Sequence, residues 1–320
     1  MQAWSNQGNL ASKIGFGNAL LKVGLHNPKL IGLGSDITKS VGMDQFAEAF
    51  PARFFSLGIA EQNAIGVSAG MALSGLIPVF ATYGVFASMR TLDQIRISLC
   101  YNKLHAIIGG AHAGISVGPD GATHQALEDI ASLRALPNLT ILSPCDSNQT
   151  ELLTSLAIEN EHGPVYIRFG REPMPNFTAM DDHLEIGKAQ IIRQGSDIAI
   201  FATGHLVWQS IQAATILEKD FGIKARIINI HTIKPIDKQS IIESAIQCGC
   251  ILTAEEHQIT SGLGSAIAEV VVKEHPVPMD FVGMPNVFGE SGTAAELMQK
   301  YGMNSDTIVN KALLLIQRKS

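Results

Sequence analysis

The chain has 320 residues, a formal net charge of -6, a pI near 5.9 and 46% hydrophobic residues. That length suits about two domains with real cores, and the acidic balance, with no run of lysines or arginines, excludes the basic field that nucleic acid requires. Cys100, Cys145, Cys248 and Cys250 are scattered, the last two as C-x-C rather than a C-x-x-C redox or zinc pair, and read as reduced core residues.

The N-terminal "MQAWSNQGNL" has no basic region followed by an apolar one, so no secretory signal is visible and a cytoplasmic location is expected. From there, apolar runs of strand length alternate with helical patterns. Helices are expected over 9–25, 60–75, 87–103, 125–135 and 147–160. Between them fall the strand-like runs "LIGLGS", "IPVFAT", "HAIIGG", "LTILSP" and "PVYIRF". The alternation predicts βα units, a parallel sheet covered on both faces, and functional groups at strand C-termini. Gln62 to Met89 carries no charged residue; Pro78, the glycines and several polar residues argue against a membrane span, and deep burial, partly in a subunit interface, is expected.

Between Arg171 and Gly195 the pattern lapses, with Pro173 and Pro175, as an interdomain crossing would. A second series follows, with strands near 197–203, 225–230, 249–254 and 279–283 and helices near 206–219, 237–247, 262–274, 293–300 and 305–317. The expected fold is α/β, two tandem doubly wound domains with mainly parallel sheets: residues 1–172, a linker over 173–194, and residues 195–320.

Two stretches carry chemistry. "GISVGPDGATHQ" (114–125) sets Asp120 and His124 on a glycine-rich loop, with His112 just upstream. Such loops let backbone approach a ligand closely, and taken alone this one suits a polar surface turn equally well. In "FFSLGIAEQNAIGVSAGMALSG", Glu61 opens a helix and is the only charge between Arg53 and Arg90. It reads either as a first-turn glutamate complementing the helix dipole or as a carboxyl in a dry site.

"GIAEQN" followed by "HAGISVGPDGATHQALEDIASLRALPNLTILSP" resembles the pyrimidine-binding domain of transketolase, a thiamine-diphosphate enzyme. The later "EEHQITSGLGSAIAEV" and "FGESGTAAELMQKYG" resemble its C-terminal domain, so the likeness runs through nearly the whole chain in order. It implies that Glu61 hydrogen-bonds the cofactor's aminopyrimidine, a general acid-base relay, and that in "ATYGVFASMR" Phe86 stacks on that ring with Tyr83 beside it. It implies that His112 and His124 move protons on sugar oxygens, as imidazoles near neutrality do, and that Asp120 reads a substrate hydroxyl. In "FGREPMP", Arg171 would clamp a sugar phosphate, its fork matching a tetrahedral anion. Ser40 of "SDITKS" would join it, with Lys39 in support.

Ala113, Pro119 and Ala122 depart from the usual transketolase loop and bring it toward 1-deoxyxylulose-5-phosphate synthase, which shares "DGATHQ"; His112 tips the likeness back to transketolase. The family's G-D-G motif, which with magnesium holds the diphosphate, does not occur in this sequence. The resemblance therefore implies the C-terminal subunit of a split transketolase. A separate N-terminal subunit would hold most of the thiamine diphosphate and Mg site in an α2β2 assembly, transferring a two-carbon ketol unit between sugar phosphates. A 1-deoxyxylulose-5-phosphate-synthase-like enzyme, a 2-oxoacid dehydrogenase beta subunit and a non-catalytic scaffold or regulatory half are the other readings.

Overall fold

The computed structural model describes residues 4–160 and 162–319. The first part runs β1 (Asn9–Leu10), α1 (Ser12–His26), β2 (Leu30–Gly34), α2 (Asp44–Ala49), β3 (Phe54–Ser56), α3 (Glu61–Leu73) and β4 (Ile77–Tyr83). A helical stretch follows that is π-wound over Phe86–Arg90 and Ile95–Tyr101, with one α turn, α4 (Leu92–Gln94), between. Then come β5 (Ala106–Ala111), α5 (Asp129–Arg134), β6 (Thr140–Leu142), α6 (Ser147–Asn160), β7 (Pro164–Arg168) and β8 (Met174–Pro175). The second part runs β9 (Gln190–Arg193), β10 (Ile198–Ala202), α7 (Leu206–Phe221), β11 (Ala225–Asn229), β12 (Thr232–Lys234), α8 (Lys238–Cys248), β13 (Ile251–Gln258), α9 (Leu263–Glu274), β14 (Met279–Met284), α10 (Ala294–Lys300) and α11 (Ser305–Ile316).

Two main sheets result, a seven-stranded one ordered β12-β6-β7-β5-β4-β2-β3 and a five-stranded one ordered β14-β13-β10-β11-β9. All neighbours are parallel except β12 on β6 and β9 on β11. Every residue of β2, β5, β7, β10 and β11 is buried, as strands covered on both faces must be. The α/β architecture is the one the alternating pattern predicts.

The stretch expected as a bare crossing, 173–194, contains two strands: β8 pairs antiparallel with β1, and β9 edges the second sheet. Its start is fixed by buried Asp146, whose carboxylate accepts from the Phe177 and Thr178 amides at 2.8 and 2.7 Å. The chain also crosses back: β12, from the second half, completes the edge of the first sheet beside β6. One apolar cluster spans both halves, joining Leu33, Phe80 and Ile108 to Phe201, Ile241 and Leu263. All four cysteines are buried and free.

The uncharged stretch 62–89, expected to be deeply buried, is not covered on all sides within this chain, because α3 leaves Gln62, Asn63, Gly66, Gly70 and Leu73 exposed. Small residues and amides make that face uncharged without making it core. No helix among the described residues is long and apolar enough to cross a membrane.

Candidate active site

In a parallel sheet the strand ends point one way, and ligands bind where the chain reverses its direction of strand addition. Here that point lies between β2 and β4, since β3 was added on one side of β2 and β4 on the other. All the singled-out residues follow C-terminal strand ends at this edge. Ser40 lies in the turn after β2, Glu61 beyond β3, Tyr83 at the end of β4, His112 directly after β5 and Arg171 after β7.

Glu61 is the first residue of α3 and is buried, with 3% exposure. Its Oε2 accepts from Arg90 Nη1 at 2.9 Å. The Arg90 guanidinium lies 4.1 Å from the Phe86 ring centroid, so one flat cation both stacks on Phe86 and donates to Glu61. An aminopyrimidine offers the same combination, a planar face and N–H donors. Arg90, 43% exposed, thus stands where a ring of that chemistry would fit between Glu61 and Phe86. The π winding of Phe86–Arg90 adds to the case, because single π turns concentrate at functional sites.

Ser40, Tyr83, His112 and His124 converge next to this pair. Ser40 Oγ lies 3.0 Å from Tyr83 Oη and 3.4 Å from His112 Nε2. The Tyr83 ring lies 4.2 Å from His112 and 5.6 Å from His124, and Phe86 lies 5.5 Å from His124, edge to face. His112 is 2% exposed, takes a left-handed backbone (φ 55°), and its Nδ1 has no hydrogen-bond partner among the described residues. Burial, then the charges of Arg171 and Lys13, push its pKa down from 6.5 to about 4. The ring is therefore neutral at pH 7. A recess of about 190 Å³ lined in part by Lys13 and Lys39 adjoins the Ser40 turn.

The loop is not a surface turn: Ile115–Asp120 forms 3-10 turns kinked at Gly118, in which Ile115, Ser116, Val117 and Gly118 are buried, while Asp120 remains at the surface. Arg171 Nη1 donates to Asp120 Oδ1 at 2.9 Å, and Arg171 also faces Glu172. The residue expected to read a substrate hydroxyl and the one expected to clamp its phosphate thus meet each other directly. A larger recess, about 300 Å³, is lined by Arg134, Lys234, Lys238, Lys273, Glu269 and Glu274, away from this group. Its inner cations are already engaged, Lys234 with the Arg134 and Leu136 carbonyls and Arg134 with Glu269, so it carries no comparable chemistry.

Sequence reasoning missed Arg90, Lys13, His205 and Glu256. The signal for Arg90 was its place as the first charge after Glu61; the other three become visible only through contacts between distant segments. Among the described residues no group of three or more His, Cys, Asp or Glu side chains is placed to hold a metal ion.

Comparison with known proteins matches both halves of the chain. Residues 9–176 match the pyrimidine-binding domain of transketolase and residues 187–308 its C-terminal domain. The chain is 35% identical over 301 residues to the 6-deoxy-6-sulfo-D-fructose transketolase subunit SqwH of Clostridium sp. (strain MSTE9), covering 94% of this chain and 93% of that one. It is also 35% identical over 310 residues to an apulose-4-phosphate transketolase subunit of Phocaeicola vulgatus, covering 97% and 98%. A split-gene transketolase solved as an inactive β4 tetramer superposes with a TM-score of 0.91 at 42% identity, over 97% of this chain and all of that one. Both domain matches, the subunit relatives and the shared fold place this chain in the transketolase family.

Proposed function

We propose that this chain is the C-terminal subunit of a split, thiamine-diphosphate-dependent transketolase. It would act with a separate N-terminal subunit that carries the diphosphate and magnesium half of the site, in an α2β2 assembly, on sugar phosphates. Residues 1–172 would form the pyrimidine half and residues 195–320 the C-terminal domain, joined through 173–194. Bound thiamine diphosphate supplies the nucleophilic carbon and the electron sink that carry the ketol unit.

The residues of this chain would do the rest. Phe86 would stack on the pyrimidine, with Tyr83 beside it, and Glu61 would exchange a proton with the ring nitrogen once Arg90 moves aside. The Arg90 guanidinium, 43% exposed, can return to water, and the ring nitrogen would replace it as the partner of the buried carboxyl. His112, neutral at pH 7, and His124 would accept and return protons at the sugar oxygens. Asp120 would take a hydroxyl, and Arg171 with Ser40 the phosphate. The observation that carries this reading is the convergence of Ser40, Tyr83, His112, His124 and Phe86 beside the buried Glu61.

His112 favours ketol transfer over the synthase reading. The two relatives are named for different sugars, so the sugar pair is a matter for assay. The test is a reconstituted complex assayed for ketose-phosphate cleavage and for pyruvate decarboxylation. Ketol transfer, together with a raised KM in Arg171→Ala for phosphorylated but not unphosphorylated sugars, is expected. Pyruvate turnover alone would refute it.

A further inference from the structure

The loop bearing Asp120 and the strand end bearing Arg171 are both braced from the second domain, by two adjacent buried side chains. Glu256, on β13, is 3% exposed. Its Oε1 accepts the Ser116 amide, its Oε2 lies 3.4 Å from His205 Nδ1, and its backbone carbonyl accepts from Arg168 Nη2 at 2.7 Å. Arg168 in turn donates to Asp129 at 2.9 Å and to the Ala126 carbonyl at 3.0 Å, closing the far end of the same loop.

Two glycines mark where the second domain presses on this main chain. A Cβ at Gly114 would fall 2.4 Å from the Glu256 carboxyl carbon, and a Cβ at Gly170 would fall 2.4 Å from His205 Cε1. Gly114 opens the loop that leads to Asp120, and Gly170 immediately precedes Arg171. One carboxylate therefore ties both supports together, through Ser116 on one side and His205 on the other.

An apolar side chain at 256 would join the domains at lower desolvation cost; a carboxylate adds direction. Burial pushes the Glu256 pKa up, but the bonds and charges of His205, Arg168 and Ser116 outweigh it and hold the group below its usual range. The Glu256 carboxyl is thus ionised at neutral pH, bonded to the Ser116 amide with His205 beside it.

We propose that Glu256 and His205 are positioning residues that set Asp120 and Arg171 at ion-pair distance, so that the second domain fixes the substrate-phosphate end of the site. The bracing stands on contacts within this chain; what that end binds rests on the transketolase reading above.

The test starts with amide hydrogen exchange by mass spectrometry on the intact chain. Glu256→Ala should raise exchange over 115–120 by about tenfold or more, the loss expected when a charge-assisted bond to a buried amide is removed. Peptides from β10 and α11 should be unchanged. Glu256→Gln, which keeps an acceptor for Ser116, should stay within about twofold of wild type. In the complex reconstituted with the N-terminal subunit, Glu256→Ala should raise KM for phosphorylated sugars more than for unphosphorylated analogues, with kcat little changed.

If Glu256→Ala does not fold, Glu256→Asp leaves a charge beside His205 and Arg168 but withdraws it from Ser116, and the same local rise is expected. No local rise, a rise spread evenly through the second domain, or a local rise with unaltered KM would each overturn the proposal. A wild-type complex without ketol transfer would instead refute the functional reading, and the exchange data would still decide the bracing.

Discussion

At Glu61 the sequence and the fold ask the same question, whether a helix-first carboxylate serves the helix or a ligand. Dipole complementarity needs only an exposed side chain, whereas this one is buried and held by Arg90, itself stacked on Phe86. In the reconstituted enzyme, Glu61→Ala should cut turnover by about a hundredfold or more, the range of general acid-base groups. The urea midpoint should move little, because the Arg90 guanidinium left behind is 43% exposed and stays hydrated. A variant keeping more than about a tenth of wild-type turnover would rule out this role. His112 gives a stability prediction. Its folded pKa, near 4, lies below the ordinary 6.5, so the unfolded chain binds the proton first as pH falls. The stability contributed by the neutral ring is intact above pH 6.5 and is lost as pH falls toward 4. Buried His231, pushed down in the same way to about 4, adds a parallel loss. Urea unfolding of wild type and His112→Gln at pH 7 and pH 4.5 should show the variant losing less, by about 2 kcal/mol. Equal losses would mean His112 is more hydrated than its burial implies.

At the scale of elements, the strand-helix alternation and the strand-end placement of Ser40, Glu61, Tyr83, His112 and Arg171 were legible, because buried parallel strands leave long apolar runs. What was not legible depends on distant partners. The three residues of β12 have no local signal that they will leave their own domain for the edge beside β6. Glu255, Glu256 and His257 look polar enough to end a strand at 254, yet β13 continues to Gln258, because the amides of Ser116, Leu263 and Gly264, with His205 alongside, engage the two carboxylates, and Arg168 donates to the Glu256 backbone carbonyl. A π-wound segment has the same apolar face as an α-helix, so only coordinates separate Phe86–Arg90 from an ordinary turn. The loop itself can be tested as an element through Gly114, which combines φ of +86° with contact against Glu256. Gly114→Ala should cost about 1–3 kcal/mol in backbone strain and displace the carboxylate from Ser116. The variant should fold with a lowered Tm and faster exchange over 115–120. An unchanged Tm would show that the loop reaches its position without this close approach.

For the molecule as a whole, the two halves are locked by β12 and by a shared apolar cluster, so domain rearrangement does not complete the site, and on the split-subunit reading a second chain does. The sequence has no G-D-G motif, and the uncharged face of α3, with Gly66 and Gly70 open to solvent, begins directly after Glu61. Such a face lets another backbone approach closely, and charge would oppose its burial. Purified alone, the chain should therefore fold yet show no ketol transfer in excess thiamine diphosphate and magnesium. Adding the N-terminal subunit should restore turnover, slow cofactor loss and protect α3 amides from exchange together, since all three depend on one interface. Gly70→Arg, which sets a long charged side chain on that face, should leave the isolated chain folded while abolishing all three effects. Turnover by the chain alone, in a preparation shown by mass spectrometry to contain no partner, would overturn the split-subunit reading and require a diphosphate site within this sequence.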